Sequence, residues 1–274
     1  MTGTAFVLSG GGSHGAVQVG MARALFEAGI APDALYGTSI GAVNAAALAQ
    51  GFNKKSIDAL AEKWTRSALA PPLRPSIADV VAALAGRSPS LFSVEGIRGR
   101  LAAGLSYAAI EDAPIPLRIV ATNLLTGEER LFESGAVADA LMASCAVPGF
   151  FPPVDIDGSL YVDGLLYGAP VHQAIENGHS EIFLLLTSPP VTMSEVPKNW
   201  WSITRRAATV IMSRQLTDSA RQRCTTARVY TLPAVPILRK TSRRRFDSGP
   251  ALMSESFEVT SQWLRATEEL RCHG

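Results

Sequence analysis

The sequence predicts an α/β protein: a mainly parallel central sheet covered on both faces by helices. Short apolar runs alternate with longer helical patterns through the N-terminal half, the order expected of strand–helix–strand units. The runs are apolar at nearly every residue, as strands buried on both faces are. With 47% apolar and 18% charged residues, the chain buries enough surface to offset its ordering entropy, which excludes disorder.

Thr4-Ala5-Phe6-Val7-Leu8-Ser9 reads as a buried strand and Ala16 to Ala28 as a helix. Ala34-Leu35-Tyr36 is a second short strand that enters an Ala-rich helix ending near Gly51. Two or three helices are expected between Lys54 and Leu105, broken at Ala70-Pro71-Pro72 and Gly86-Arg87-Ser88-Pro89. Leu117 to Leu124 is a strand, and Thr126-Gly127 turns it into a hairpin partner at Arg130-Leu131-Phe132-Glu133. Further strands are expected at Val154–Ile156, Leu160–Val162, Ile182–Thr187 and Val229–Leu232, with a helix starting at His172 after Pro170. There is no internal repeat, low-complexity tract or linker. One domain over 1–274 is therefore expected.

Several function classes drop out on composition. A formal charge of +1 gives no sign of a globally basic nucleic-acid binder. Cys145, Cys224 and Cys272 are an odd, widely spaced set, which fits neither a disulfide framework nor a zinc site and favours a reducing, cytoplasmic location. The N-terminus lacks a basic region and its apolar run soon meets three glycines, unlike a signal peptide. The stretch from Ala34 to Asn53 approaches the ~20 residues of a membrane span, but Thr38, Ser39, Asn44 and Gln50 make it too polar.

Charge is unevenly distributed. Residues 198–245 hold twelve Lys or Arg and one acid, Asp218. Within that segment Trp200, Ile203, Ala207 and Val210 fall at helical spacing, while Arg205, Arg206 and Arg214 point elsewhere. A surface helix with solvated arginines is the simpler expectation. The sharper one is peripheral docking on anionic lipid with Trp200 and Trp201 at the interface. A nucleic-acid partner has no recognisable reading motif here.

The strongest chemical signal is Gly37-Thr38-Ser39-Ile40-Gly41, between a strand and a helix. Such a nucleophile elbow puts a serine on a sharp turn with strained backbone angles, and the flanking glycines leave room for neighbouring backbone. The helix that follows aims its positive end at an oxyanion formed there.

Gly10-Gly11-Gly12-Ser13-His14-Gly15 lies after the first strand and before a helix, where backbone N–H groups can cradle an anion. Gly10, Gly12 and Gly15 also match a dinucleotide fingerprint. That site needs an acid at the end of the second strand. Asp33 precedes the strand, and its carboxyl end supplies Gly37-Thr38-Ser39 instead. An oxyanion hole serving Ser39 is therefore preferred over a nucleotide-binding protein.

The serine needs a proton acceptor. None of His14, His172, His179 and His273 occupies an evident strand-end loop suited to a Ser-His-acid triad, although His14 lies close, inside the glycine loop. Asp163, in Tyr161-Val162-Asp163-Gly164 at the end of an apolar strand, is the better candidate.

These elements, with Val120–Gly127 and Ala143–Pro153, resemble the patatin-like phospholipases in order over about Thr4 to Pro170. The resemblance implies a three-layer α/β/α fold and a lipid acyl hydrolase. Ser39 would be the nucleophile, Asp163 its base, and the Gly10–Gly12 loop the oxyanion hole, with amides of Gly11 and Gly12 as donors. His14, Gly15, Gly37, Gly41 and Gly164 would support the motifs. The substrate would be a lipid or phospholipid acyl ester, with no cofactor and no metal. A Ser-His-Asp esterase or an acyltransferase is the alternative. The family usually has Arg or Lys where His14 stands, and Gly or Ala where Leu165 stands.

Overall fold

The computed structural model describes residues 3–66, 95–164, 168–187, 210, 227–235 and 249–272. Trp200, Trp201, Arg205 and Arg206 lie outside the described residues, as do Leu165, His273 and the helix breaks expected at 70–72 and 86–89.

Among the described residues, eight strands form one sheet. They are β1 (Thr4–Leu8), β2 (Ala34–Thr38), β3 (Leu117–Asn123), β4 (Glu129–Phe132), β5 (Val154–Ile156), β6 (Ser159–Asp163), β7 (Glu181–Leu185) and β8 (Arg228–Thr231). Pairing runs β5-β6-β3-β2-β1-β7-β8, with β4 also on β3. The pairs from β3 to β8 are parallel, whereas β4 and β6 run antiparallel to β3.

Helices α1 (Ala16–Glu27), α2 (Ile40–Leu48), α3 (Lys54–Thr65), α4 (Glu95–Leu101), α5 (Val137–Ser144), α6 (Val171–Glu176) and α7 (Gly249–Cys272) accompany the strands, with short 3-10 turns at Gly12–Gly15 and Ile110–Asp112. The period-two alternation of strand side chains divides the core between the two sheet faces. Phe6, Leu8, Leu35 and Leu185 face a large cluster with residues of α1, α2, α3, α5 and α7. Ala5, Val7, Tyr36 and Leu184 face a smaller one with Val171 and Ala174 of α6. This is the α/β/α arrangement expected.

A chain of buried amides ties the helices to the strand ends. Trp64 Nε1 donates to Asn44 Oδ1 at 3.0 Å, and Asn44 Nδ2 to Gln18 Oε1 at 2.8 Å. Gln18 Nε2 then donates to the carbonyls of Ser9 at 2.8 Å and Leu185 at 2.9 Å. Each of these hydrogen bonds offsets the cost of taking an amide out of water.

The structure extends the sequence reading at several points. β2 continues past Tyr36 to Thr38, immediately before Ser39. The ladder of β7 stops at Leu185, and Thr187 turns its amide to Ser9 Oγ at 3.1 Å. Helices α5 and α7 have no counterpart in the sequence reading. Leu252, Ser256, Thr260 and Leu264 of α7 are buried, four residues apart. Two of these are polar, which masks the apolar stripe.

Candidate active site

Three neighbouring strands bring the chemistry to one level. Leu8 of β1 pairs with Gly37 of β2 on one side and with Leu185 of β7 on the other. Two residues beyond that row stand Gly10, Ser39 and Thr187, so the glycine loop and the serine turn are adjacent.

Ser39 has φ 55° and ψ −128°, a strained conformation for a residue with a side chain. Its neighbours explain how the turn fits. A Cβ on Gly37 would lie 2.7 Å from the Ala42 nitrogen, and one on Gly41 2.5 Å from the Ser9 carbonyl oxygen. Neither position has room for a side chain. The Ser39 carbonyl accepts from the Ala42 amide at 2.9 Å and starts α2, whose positive end faces the turn.

The second half of the site comes from strands running toward each other. Ile119 and Val120 of β3 pair with both β2 and β4, and Ala121 and Thr122 with both β4 and β6. A strand has two edges, so β2 and β6 share one of them end to end. Thr38 is opposite Val120 and Asp163 is opposite Ala121. The carboxyl end of β2 therefore meets the carboxyl end of β6. The sequence suggested that β6 carries Asp163 to the edge of a parallel sheet, and the antiparallel direction makes the approach head-on.

Across this junction Ser39 Oγ donates to Asp163 Oδ2 at 2.7 Å. Both residues are buried, with 7% and 3% of their surfaces exposed, so bulk water competes little with the bond. Asp163 is fixed through its backbone: its amide donates to the Ala146 carbonyl at 3.0 Å, and its carbonyl accepts from Thr122 Oγ1 at 3.1 Å.

The C-terminal end of α5 supplies groups that the sequence reading did not single out. Buried Ser144 Oγ accepts from the Ser39 amide at 2.8 Å. The next residue is Cys145, whose thiol is pushed up from its ordinary range by burial and further by the charge of Asp163, with Ser39 acting in the opposite direction. The only sequence signal for these roles was the Ala143–Pro153 block itself.

The glycine loop is partly open. Gly10 is buried, Gly11 half-buried and Gly12 exposed, and Gly11 and Gly12 have φ values of 155° and 58°. His14 is half-buried on the short 3-10 turn Gly12–Gly15, and its amide donates to the Gly11 carbonyl at 3.3 Å. Gly164 abuts β3, where a Cβ would lie 2.5 Å from the Val120 carbonyl oxygen.

Two other histidines are engaged elsewhere. His172 Nε2 pairs with Glu129 Oε2 at 3.2 Å, and His179 stacks edge-on against Tyr36 with ring centroids 5.7 Å apart. Among the described residues, no group of three His, Cys, Asp or Glu side chains could hold a metal ion. No helix among them is long and apolar enough to cross a membrane.

The fold and the strained strand–turn–helix serine place this chain among α/β proteins built around a nucleophile-elbow geometry. It belongs to the patatin-like phospholipase family, whose model matches residues 6–175. It is similar to patatin-like phospholipase domain-containing protein 7 of Rattus norvegicus, 32% identical over 162 residues, covering 58% of this chain and 12% of that protein. An uncharacterized NTE family protein of Mycobacterium tuberculosis is 34% identical over 160 residues, 58% of this chain and 42% of its own. The matched region is thus a minor part of each relative. The solved structure of VipD from Legionella pneumophila aligns with 95% of this chain and 67% of its own at TM-score 0.44 and 15% identity.

Proposed function

We propose that the protein hydrolyses fatty-acyl esters of lipids, phospholipids among them, through a Ser39–Asp163 dyad. The observation that carries the proposal is the 2.7 Å bond from Ser39 Oγ to Asp163 Oδ2 inside a buried elbow. Asp163 takes the Ser39 proton while Oγ attacks the acyl carbonyl carbon. The carbonyl electrons move to oxygen, and the oxyanion is received by the Gly11 and Gly12 amides and the start of α2. Collapse expels the alcohol, which regains the proton from Asp163 and leaves an acyl-enzyme. Asp163 then deprotonates water for the second attack, and the fatty acid departs as Oγ recovers its proton.

A dyad is favoured over a Ser-His-Asp arrangement because the hydrogen bond of the serine goes directly to a carboxylate. The substrate class follows from family membership. Peripheral contact with anionic lipid through residues 198–245 is part of the proposal and rests on the charge of that segment alone. The test is release of fatty acid from phosphatidylcholine and phosphatidylglycerol vesicles by the full chain and by Ser39→Ala. The proposal expects release that vanishes in the variant. Equal release by both proteins would overturn it.

A further inference from the structure

Thr187 lies beyond the family-matched region and holds one atom of the glycine loop. Its Oγ1 donates to the Gly10 carbonyl at 2.6 Å, within a side chain that is 1% exposed. Its amide donates to Ser9 Oγ at 3.1 Å, and that hydroxyl donates to the same Gly10 carbonyl at 3.2 Å. Two hydroxyls thus converge on one oxygen. The Gln18 amide secures the strand ends beneath them through the Ser9 and Leu185 carbonyls.

The Gly10 carbonyl belongs to the same peptide unit as the Gly11 N–H. That unit is planar and trans, so its C=O and N–H point in opposite directions. Fixing the oxygen toward Thr187 fixes the hydrogen away from it. The restraint is needed because Gly10 and Gly11 flank the unit, and glycine permits rotations that other residues resist. Gly11 itself sits at φ 155°, and a Cβ there would strike Thr187 Oγ1. The threonine hydroxyl therefore occupies the space a side chain would fill and binds the adjacent carbonyl.

We infer that Thr187 is a positioning residue: its hydroxyl locks the Gly10–Gly11 peptide plane so that the Gly11 amide points at the acyl oxyanion. The inference rests on the proposed hydrolase reading. Thr187 touches no reacting atom. A mis-set donor weakens the transition state more than substrate binding, so the effect belongs in kcat.

The experiment is steady-state hydrolysis of 4-nitrophenyl butyrate by the full chain as Thr187→Val, Thr187→Ala and Thr187→Ser, with Ser39→Ala alongside and thermal unfolding of each. Thr187→Val and Thr187→Ala are expected to lose about 10- to 100-fold in kcat with KM unchanged. That is less than the 10²–10³ of a deleted oxyanion donor, because Ser9 Oγ still holds the carbonyl. Thr187→Ser is expected to stay within about threefold of the parent, since it keeps the hydroxyl. If Thr187→Val or Thr187→Ala unfolds, the other still reports loss of the hydroxyl against Thr187→Ser, and if Thr187→Ser unfolds, Thr187→Val against the parent does so with the branched shape kept. A folded Thr187→Val or Thr187→Ala variant with the parent kcat, or a Thr187→Ser variant as slow as either, would overturn the inference while leaving the hydrolase reading intact. Full activity in Ser39→Ala would overturn both.

Discussion

Ser39 and Asp163, 124 positions apart in sequence, are joined by a 2.7 Å hydrogen bond because β2 and β6 end against each other on one edge of β3. The pair is made by sheet register rather than by a loop. Thr38 opposite Val120 and Asp163 opposite Ala121 leave no intervening row on β3. Asp163→Asn preserves volume but replaces an accepting carboxylate oxygen with a neutral amide. It is expected to lower kcat by about 10²–10⁴, the span attributed to a positioned general base. Steady-state kinetics with thermal unfolding should show that loss in a protein that still folds.

The strain at Ser39 predicts a trade between activity and stability. A φ of 55° costs a residue with a side chain about 1 kcal/mol or more and costs glycine far less. Ser39→Gly should therefore be inactive yet more stable than Ser39→Ala by about 1 kcal/mol. Urea unfolding of the two inactive variants measures the difference. Equal stability would mean that the turn carries no strain.

Ser144 supplies the acceptor for the buried Ser39 amide at 2.8 Å. Ser144→Ala leaves that donor unpaired, a defect that costs about 1–3 kcal/mol. A lower urea midpoint together with reduced kcat is expected. An unchanged midpoint would show that another acceptor replaces the hydroxyl.

Cys145 should react slowly. Cys145 is half-buried, and burial together with the charge of Asp163 holds its thiol up, so little thiolate is present at neutral pH. Mass spectrometry after iodoacetamide treatment at pH 7.5 should find Cys145 unmodified in folded protein and modified in urea. Rapid modification of the folded protein would contradict this environment.

His172 gives a pH signature separate from the candidate site. Its hydrogen bond to Glu129 raises its pKa above the ordinary 6.5, against the opposing effect of burial. A raised folded-state value means the pair contributes fully below the unfolded value and loses its contribution as pH rises through the folded one. The loss thus begins above about pH 6.5. His172→Asn should flatten that part of the stability–pH curve while leaving ester hydrolysis unchanged. A variant that loses hydrolysis would return a histidine to the mechanism.

The parts of this site that were legible in the sequence are those with a local steric requirement. Gly37 and Gly41 must be glycine because the turn packs against Ala42 and Ser9, and that necessity shows as a five-residue pattern. Asp163 was readable as a carboxylate ending an apolar strand, but the direction of β6 was not, since a strand of five residues does not reveal its partner's polarity. Ser144 and Thr187 were hidden because small hydroxyl residues carry no signal until register brings them beside Ser39 and Gly10. Helix α7 was hidden by Ser256 and Thr260, polar residues on its buried stripe.

The most direct measurement is covalent labelling by a fluorophosphonate probe, with the modified peptide located by mass spectrometry in the parent, Ser39→Ala and Asp163→Asn. The dyad predicts a single phosphonylated residue, Ser39, no labelling in Ser39→Ala, and much slower labelling in Asp163→Asn. Modification of a different serine, or an undiminished rate in Asp163→Asn, would contradict it.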